Sequence, residues 1–340
     1  MPQHPDAALR TVWAFERAQR ADSADEIVAL IREYGLVREA IPSQFLTNAA
    51  VWAALLDATP LEAMVRNLAT MSRVGLLVPG SDAARLVAER LADGERIRRA
   101  RLHPIKLLAA LKTYAAGKGV RGSGEWSPVA QVIDALDGAF YHAFAAIEPT
   151  GKRYVLALDV SGSMAAGAVG GVPGLTPRVG SAAMALVTAA SEPAYTAVAF
   201  SAPAGGGYGG QWGGGTPGLT PIALSPRQRL DDVLRATEGI PMGGTDCALP
   251  MIWALKQRLA ADVFVVYTDS ETWQGEVHAA VALRQYREAM GIDARLIVVG
   301  MVANAFSIAD QEDGGMLDVV GFDTAAPAVM ADFVREGARG

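Results

Sequence analysis

From residue 151 to the C-terminus, short apolar runs alternate with helical patterns, and that alternation admits few folds. Tyr154–Asp159, Tyr195–Ser201, Val263–Thr268 and Arg295–Gly300 read as buried strands, with a weaker run at Leu317–Phe322. Helical periodicity fills most of the intervals, at Val179–Ser191, Arg227–Thr237, Ala248–Leu259 and Glu276–Met290. Strands buried on both faces and joined by helices make a doubly wound, mostly parallel sheet of the Rossmann-like kind. Leu219–Leu224 is a candidate short edge strand, and the glycine-rich stretch Ala204–Gly218 reads as a surface loop.

The first 150 residues follow a different period. Ile27, Leu30, Ile31 and Tyr34 fall at i, i+3, i+4, i+7 behind a Ser23-x-x-Glu26 capping box. Leu61, Met64, Val65 and Leu68 repeat the spacing, as do Leu107, Leu108, Leu111 and Tyr114 after Pro104. Ser127-Pro128 is expected to open a helix with Val129, Val132, Ile133, Leu136, Phe140 and Phe144 on one face. Short amphipathic helices in series predict a HEAT-like stack of helical pairs, although no clean repeat marks the sequence. The fold class is therefore α followed by α/β, with domains at 1–150 and 151–340 joined at Glu148-Pro149-Thr150-Gly151.

Charge is divided unevenly between these halves. Residues 1–150 hold 17 Lys+Arg and 17 Asp+Glu, whereas residues 151–340 hold 13 and 19. The overall charge of −6 therefore resides in the second half. Within the first half, Arg96, Arg98, Arg99, Arg101, Lys106, Lys112, Lys118 and Arg121 occupy one segment that contains no acid. No apolar stretch approaches the roughly 18 residues of a membrane span, and the N-terminus lacks a signal-peptide core. A single cysteine, Cys247, excludes an internal disulfide and fits a reducing compartment, so the expected location is cytoplasmic.

Asp159-Val160-Ser161-Gly162-Ser163 leaves the first strand at its C-terminal end, the edge where open parallel sheets bind ligands. One carboxylate and two hydroxyls on a tight turn are hard oxygen donors, suited to Mg²⁺ or Mn²⁺. The pentapeptide alone fits an ordinary strand-to-helix turn equally well. Two more segments join it: Gly243-Gly244-Thr245-Asp246 before a helix, and Asp269 at the tip of the Val263–Thr268 strand. Three distant segments thus converge on one sheet edge. This is the metal-ion-dependent adhesion site pattern, and the second half resembles von Willebrand factor A domains. The resemblance implies direct binding by Ser161, Ser163 and Thr245, with Asp159 and Asp269 acting directly or through water. It also implies an open metal position that an acidic side chain of a protein partner fills. Asp246 reads as a helix N-terminal residue.

No catalytic constellation assembles. His4, His103, His142 and His278 are scattered, and Cys247 reads as a packed structural residue. Gly205-x-Gly207-x-x-Gly210 runs into more glycine instead of a helix, so it lacks the dipole that would cradle a phosphate. The expectation is a protein that is not an enzyme.

Further segments carry a resemblance across the chain. Arg101-Leu-His-Pro-Ile-Lys-Leu-Leu-Ala-Ala-Leu-Lys-Thr-Tyr114 is similar to the last helices of the Ro ribonucleoprotein family's helical ring, the TROVE domain. Glu148-Pro-Thr-Gly-Lys-Arg153 resembles the family's joint. Gly243-Gly-Thr-Asp-Cys-Ala-Leu-Pro-Met-Ile-Trp253, Thr268-Asp-Ser-Glu-Thr-Trp273, Gly300-Met301, Ile308-Ala-Asp310 and Gly321-Phe-Asp323 resemble its A-domain segments. This likeness implies binding of small non-coding RNAs (Y RNA and single-stranded ends of misfolded RNA), a role in RNA quality control, and an exoribonuclease as a protein partner. Arg96, Arg98, Arg99, Arg101, His103, Lys106, Lys112, Lys118 and Arg121 are the candidate RNA contacts, with a solvated helix face as the plainer reading. His103, before Pro104, is either a helix-start residue or an RNA-facing group. Family rings carry more helical chain than this sequence does. The first part of the ring is therefore expected to be absent, no Y RNA contacts are transferred, and an oligomer or second polypeptide is a route to a closed ring. The alternative function is a cation-dependent protein-interaction module that has lost RNA binding.

Overall fold

The computed structural model describes residues 9–119, 124–201, 218–240, 243–269, 275–302, 308–321 and 325–336. Arg121, most of the glycine-rich stretch, and residues 270–273 and 322–323 of the quoted segments lie outside these. The chain divides into two compact units, Met1–Ala146 and Ile147–Gly340. Residues 147–150 go with the second unit, and one physical reason is Glu192. Its carboxylate, 6% exposed, accepts the Thr150 amide at 2.7 Å and the Gly151 amide at 3.0 Å.

The regular structure of the first unit is helical among its described residues, apart from one isolated antiparallel bridge between Lys118 and Glu125. Its helices are α1 (Arg10–Gln19), α2 (Ala24–Tyr34), α3 (Ala49–Ala58), α4 (Leu61–Arg73), α5 (Asp82–Ala92), α6 (Gly94–Arg99), α7 (Pro104–Ala115) and α8 (Ala130–His142). The expected start of α2 is present in half: the Ser23 hydroxyl accepts the Glu26 amide at 3.2 Å, while the Glu26 carboxylate reaches the Asp22 amide rather than that of Ser23. Ile27, Leu30 and Ile31 are buried as the period requires, and Gly35 ends the helix in the left-handed conformation at φ 67°. Arg90 of α5 closes the end of α3, donating to the Leu56 and Asp57 carbonyls at 2.6 and 2.9 Å. Helix α8 begins at Ala130, later than Ser127-Pro128 implied. The Tyr114 hydroxyl sets this start by accepting the Val129 amide at 3.2 Å while bonded to the Ser72 hydroxyl at 2.7 Å. Helices α5 and α7 pack on α8, burying Val87, Leu91, Leu107, Leu108, Val132, Leu136 and Phe140.

The second unit contains the sheet: β1 (Arg153–Asp159), β2 (Ala194–Phe200), β3 (Leu219–Ile222), β4 (Val263–Thr268), β5 (Arg295–Gly300) and β6 (Met316–Val320). The spatial order is β3-β2-β1-β4-β5-β6, parallel except for β3. Helices α9 (Pro177–Ser191), α10 (Leu230–Glu238), α11 (Leu249–Lys256), α12 (Ala279–Met290) and α13 (Ala326–Glu336) are interspersed. Every residue of β4 is buried, which explains an apolar run without alternation. Strand β3 is a four-residue antiparallel edge with Pro221 opposite Val198. On one face of the sheet, Phe264 packs edge-on against Tyr286 of α12, with ring centroids 4.9 Å apart. The Tyr286 hydroxyl accepts the Ala261 amide at 2.7 Å and donates to the Leu259 carbonyl at 2.6 Å. Tyr286→Phe leaves that buried amide without a partner and should cost about 1.5 kcal/mol by urea unfolding. Wild-type stability in the variant would show that water replaces the hydroxyl.

Candidate metal centre and basic segment

The strand order reverses direction at β1, which has β2 on one side and β4 on the other. Connections leaving β1 and β4 diverge there and open a crevice at the strands' C-terminal ends. Asp159 is the last residue of β1, and Asp269 follows the last residue of β4. Both are 1% exposed. The Asp159 carboxylate accepts the Ser161 amide at 2.8 Å on one oxygen. Its other oxygen accepts the Thr245 hydroxyl at 3.1 Å and the Thr268 hydroxyl at 2.7 Å. The Ser161 and Ser163 hydroxyls lie 3.2 Å apart. The structure therefore brings Asp159, Ser161, Ser163 and Thr245 together, with Asp269 close enough to act on Asp159 electrostatically.

Local structure explains how each segment arrives. The amide of Val160 donates to the Phe200 carbonyl at 3.0 Å, holding the start of the Asp159–Ser163 turn to the end of β2. Ser201, just past β2, accepts the Gly243 amide at 2.5 Å and so tethers the segment that carries Thr245. Asp246 turns its carboxylate to the Ala248 amide at 3.0 Å, at the entry to α11. The Gly275 backbone lies against that carboxylate: a Cβ at 275 would sit 2.7 Å from it, which no larger residue tolerates. Cys247 is fully buried among these acids, and burial pushes its thiol well above the usual range, as suits a packed cysteine.

Burial pushes the Asp159 carboxyl up to about 6; the Ser161 and Thr268 hydrogen bonds oppose this, and the Asp269 charge adds to it. No cation pairs with Asp159 among the described residues, so its charge is solvated only by neutral donors. Nor is any group of three or more His, Cys, Asp and Glu arranged to hold a metal among the described residues. The candidate centre is a different donor set, two carboxylates with three hydroxyls. Hard oxygens around an uncompensated buried carboxylate fit a small divalent cation. Thr268 is the member that sequence reasoning missed. It is a polar side chain with no exposure at the end of an otherwise apolar strand, and that position was its signal.

The basic segment is partly neutralised from outside itself. Arg96 pairs with Asp93 at 3.6 Å, Arg98 with Glu95 at 2.7 Å and Lys106 with Glu62 of α4 at 2.5 Å. Arg99, Arg101, Lys112 and Lys118 make no ion pair with the described residues. Arg101 is exposed and holds a left-handed backbone, φ 50°, just past α6. His103 caps α7 through Nδ1, which accepts the Ile105 amide at 3.2 Å. Burial lowers its pKa to about 4, so it is uncharged at neutral pH.

Residues 15–113 match the TROVE domain, and residues 153–334 match the Ro60 vWA domain. The chain belongs to the Ro family. It is 43% identical over 336 residues to the RNA-binding protein RO60 of Deinococcus radiodurans, covering 98% of this chain and 60% of that protein. It is 42% identical over 331 residues to the RNA-binding protein RO60 of Caenorhabditis elegans, covering 96% of this chain and 48% of the relative. The crystal structure of the Deinococcus radiodurans RO (RSR) protein superposes with a TM-score of 0.88 at 43% identity, over 98% of this chain and 65% of that one. This Ro-family chain thus spans about half to two thirds of the relatives it matches. Among its described residues no helix is long and apolar enough to cross a membrane.

Proposed function

We propose that this chain is a Ro-type RNA-binding protein: a scaffold that holds small non-coding RNA, such as Y RNA and single-stranded RNA ends, in RNA quality control. The observation that carries this is the TROVE match over residues 15–113, which includes Arg101 and Lys112, neither of which makes an ion pair with the described residues, and Arg99, which feels Asp93 and Glu95 only at longer range. The names of the two relatives support it. Binding, not catalysis, is the activity. A cytoplasmic setting fits the single cysteine.

The A domain adds a second binding function. Asp159, Ser161, Ser163, Thr245 and Asp269 would hold Mg²⁺ or Mn²⁺, supported by the donor chemistry and the uncompensated charge on Asp159. When bound, the cation supplies positive charge and a coordination position for a partner's carboxylate. An exoribonuclease or another acidic protein suits that position. The ion pairs of Arg96, Arg98 and Lys106 favour a second reading, a cation-dependent protein-interaction module without RNA.

Salt dependence separates the two. If Arg99, Arg101, Lys112 and Lys118 each neutralise one phosphate, log K for single-stranded RNA falls against log salt with a slope of about −3. Reversing the charge of Arg99 and Arg101 together should weaken binding to all sequences alike, because phosphate contacts carry no base information. A flat salt profile in filter binding, or no binding at low salt, decides for the protein-interaction module.

A further inference from the structure

Where the basic segment ends, the described residues of the helical unit include one short ribbon. Lys118 faces Glu125 across it, the Gly119 amide donates to the Gly124 carbonyl at 3.1 Å, and the Trp126 amide donates to the Gly117 carbonyl at 2.9 Å. Side chains alternate across a ribbon, so Gly119, Gly124 and Trp126 share one face while Lys118 and Glu125 take the other. The first face is bare backbone beside an indole.

Arg73, the last residue of α4, reaches this bare face. A Cβ at position 124 would lie 2.9 Å from the Arg73 Nη1, so the guanidinium occupies the space that any larger residue would fill. Arg73 is exposed and makes no ion pair with the described residues. Trp126, by contrast, is fixed in place. Its Nε1–H donates to the Tyr114 carbonyl at 2.9 Å, and its ring stacks on Tyr114 with centroids 6.3 Å apart and planes 23° apart. It remains partly exposed.

We infer that Arg73, Gly124 and Trp126 form a subsite for one nucleotide of single-stranded RNA, the base lying on Trp126 and a phosphate on Arg73. An aromatic surface accepts any base, and a planar forked cation matches phosphate oxygens. Gly124 is the positioning residue, since its missing side chain lets the guanidinium lie against the ribbon face that also carries Trp126. This rests on the RNA-binding reading and adds to it a contact in α4, outside the segment where the cations concentrate.

The test is fluorescence anisotropy of the full chain with a short labelled oligouridylate across a salt series. Arg73→Gln should weaken binding severalfold and make the log–log salt slope shallower by about 0.7, the loss of one single-strand phosphate contact. Gly124→Ala should weaken binding in the same direction but by less, because the exposed end of Arg73 can move off the added Cβ although no charge is removed. Trp126→Leu should weaken binding about tenfold with the slope unchanged. Circular dichroism checks each fold. Should Trp126→Leu unfold, photocrosslinking of 5-bromouridine RNA to wild-type Trp126, read by mass spectrometry, replaces it, and absence of that crosslink counts against the subsite. Wild-type affinity and slope in both Arg73→Gln and Gly124→Ala overturns the subsite while leaving the RNA reading intact. No oligouridylate binding by the wild type defeats the RNA reading itself, and the subsite with it.

Discussion

Acidification from pH 6.5 to about 4 should destabilise the helical unit through His103, by up to about 3 kcal/mol. Burial holds the folded-state pKa near 4, below the ordinary 6.5 of the unfolded chain. Between these values the unfolded chain takes up a proton that the folded protein does not. Stability is therefore complete above pH 6.5, falls as pH drops, and loses nothing further from this group below about 4. The geometry supplies the reason: Nδ1 accepts the Ile105 amide at 3.2 Å and the buried Nε2 has no partner, so a proton on Nδ1 breaks the cap of α7. His103→Asn keeps a capping acceptor and removes the titration. The measurement is the difference in urea-unfolding free energy between wild type and His103→Asn from pH 7 to pH 4, because exposed carboxylate pairs titrate in both proteins alike. Parallel profiles would show that His103 is protonated in the fold without cost.

Millimolar Mg²⁺ should raise the melting temperature of the wild type, by a free energy of about 2.7 kcal/mol once the cation is at a hundredfold excess over its dissociation constant. Asp159→Asn should abolish this response. The same substitution removes a charge that is 1% exposed and held only by neutral donors, so the metal-free variant should melt no lower than metal-free wild type. These opposite effects of one substitution distinguish a metal ligand from a structural carboxylate. A merely structural Asp159 would lose stability on substitution with or without Mg²⁺. Equal Mg²⁺ affinity of wild type and Asp159→Asn in calorimetry would remove the assignment.

Much of the second unit was legible in sequence because its chemistry is local. Strands β4 and β5 carry the bounds read from their apolar runs, since a strand buried on both faces has nothing polar until it ends. Asp159, Ser161, Ser163 and Thr245 could be placed together because a parallel sheet delivers strand ends to one edge. Thr268 was passed over because it occupies a position in the apolar run, and its role appears only when its hydroxyl is seen 2.7 Å from Asp159. In the first unit the apolar period gave α2, α4 and α7, but charge could not be read the same way. Lys106 meets Glu62 from 44 residues away, and Asp93 and Glu95 stand just before the segment whose lack of acid had defined it. The start of α8 escaped for a similar reason: the hydroxyl that holds the Val129 amide belongs to Tyr114, on the preceding helix.

Strand β3 bears on how the protein behaves at high concentration. An open sheet is a template, and a long flat rim invites a second chain to extend it. Here the flank offers four residues, runs antiparallel to β2 and carries exposed Pro221, which presents no N–H to an incoming strand. Any polypeptide docking there would find too few amides to hold a register. That flank is thus guarded against templated growth, and concentrated stocks should resist β-type aggregation from it.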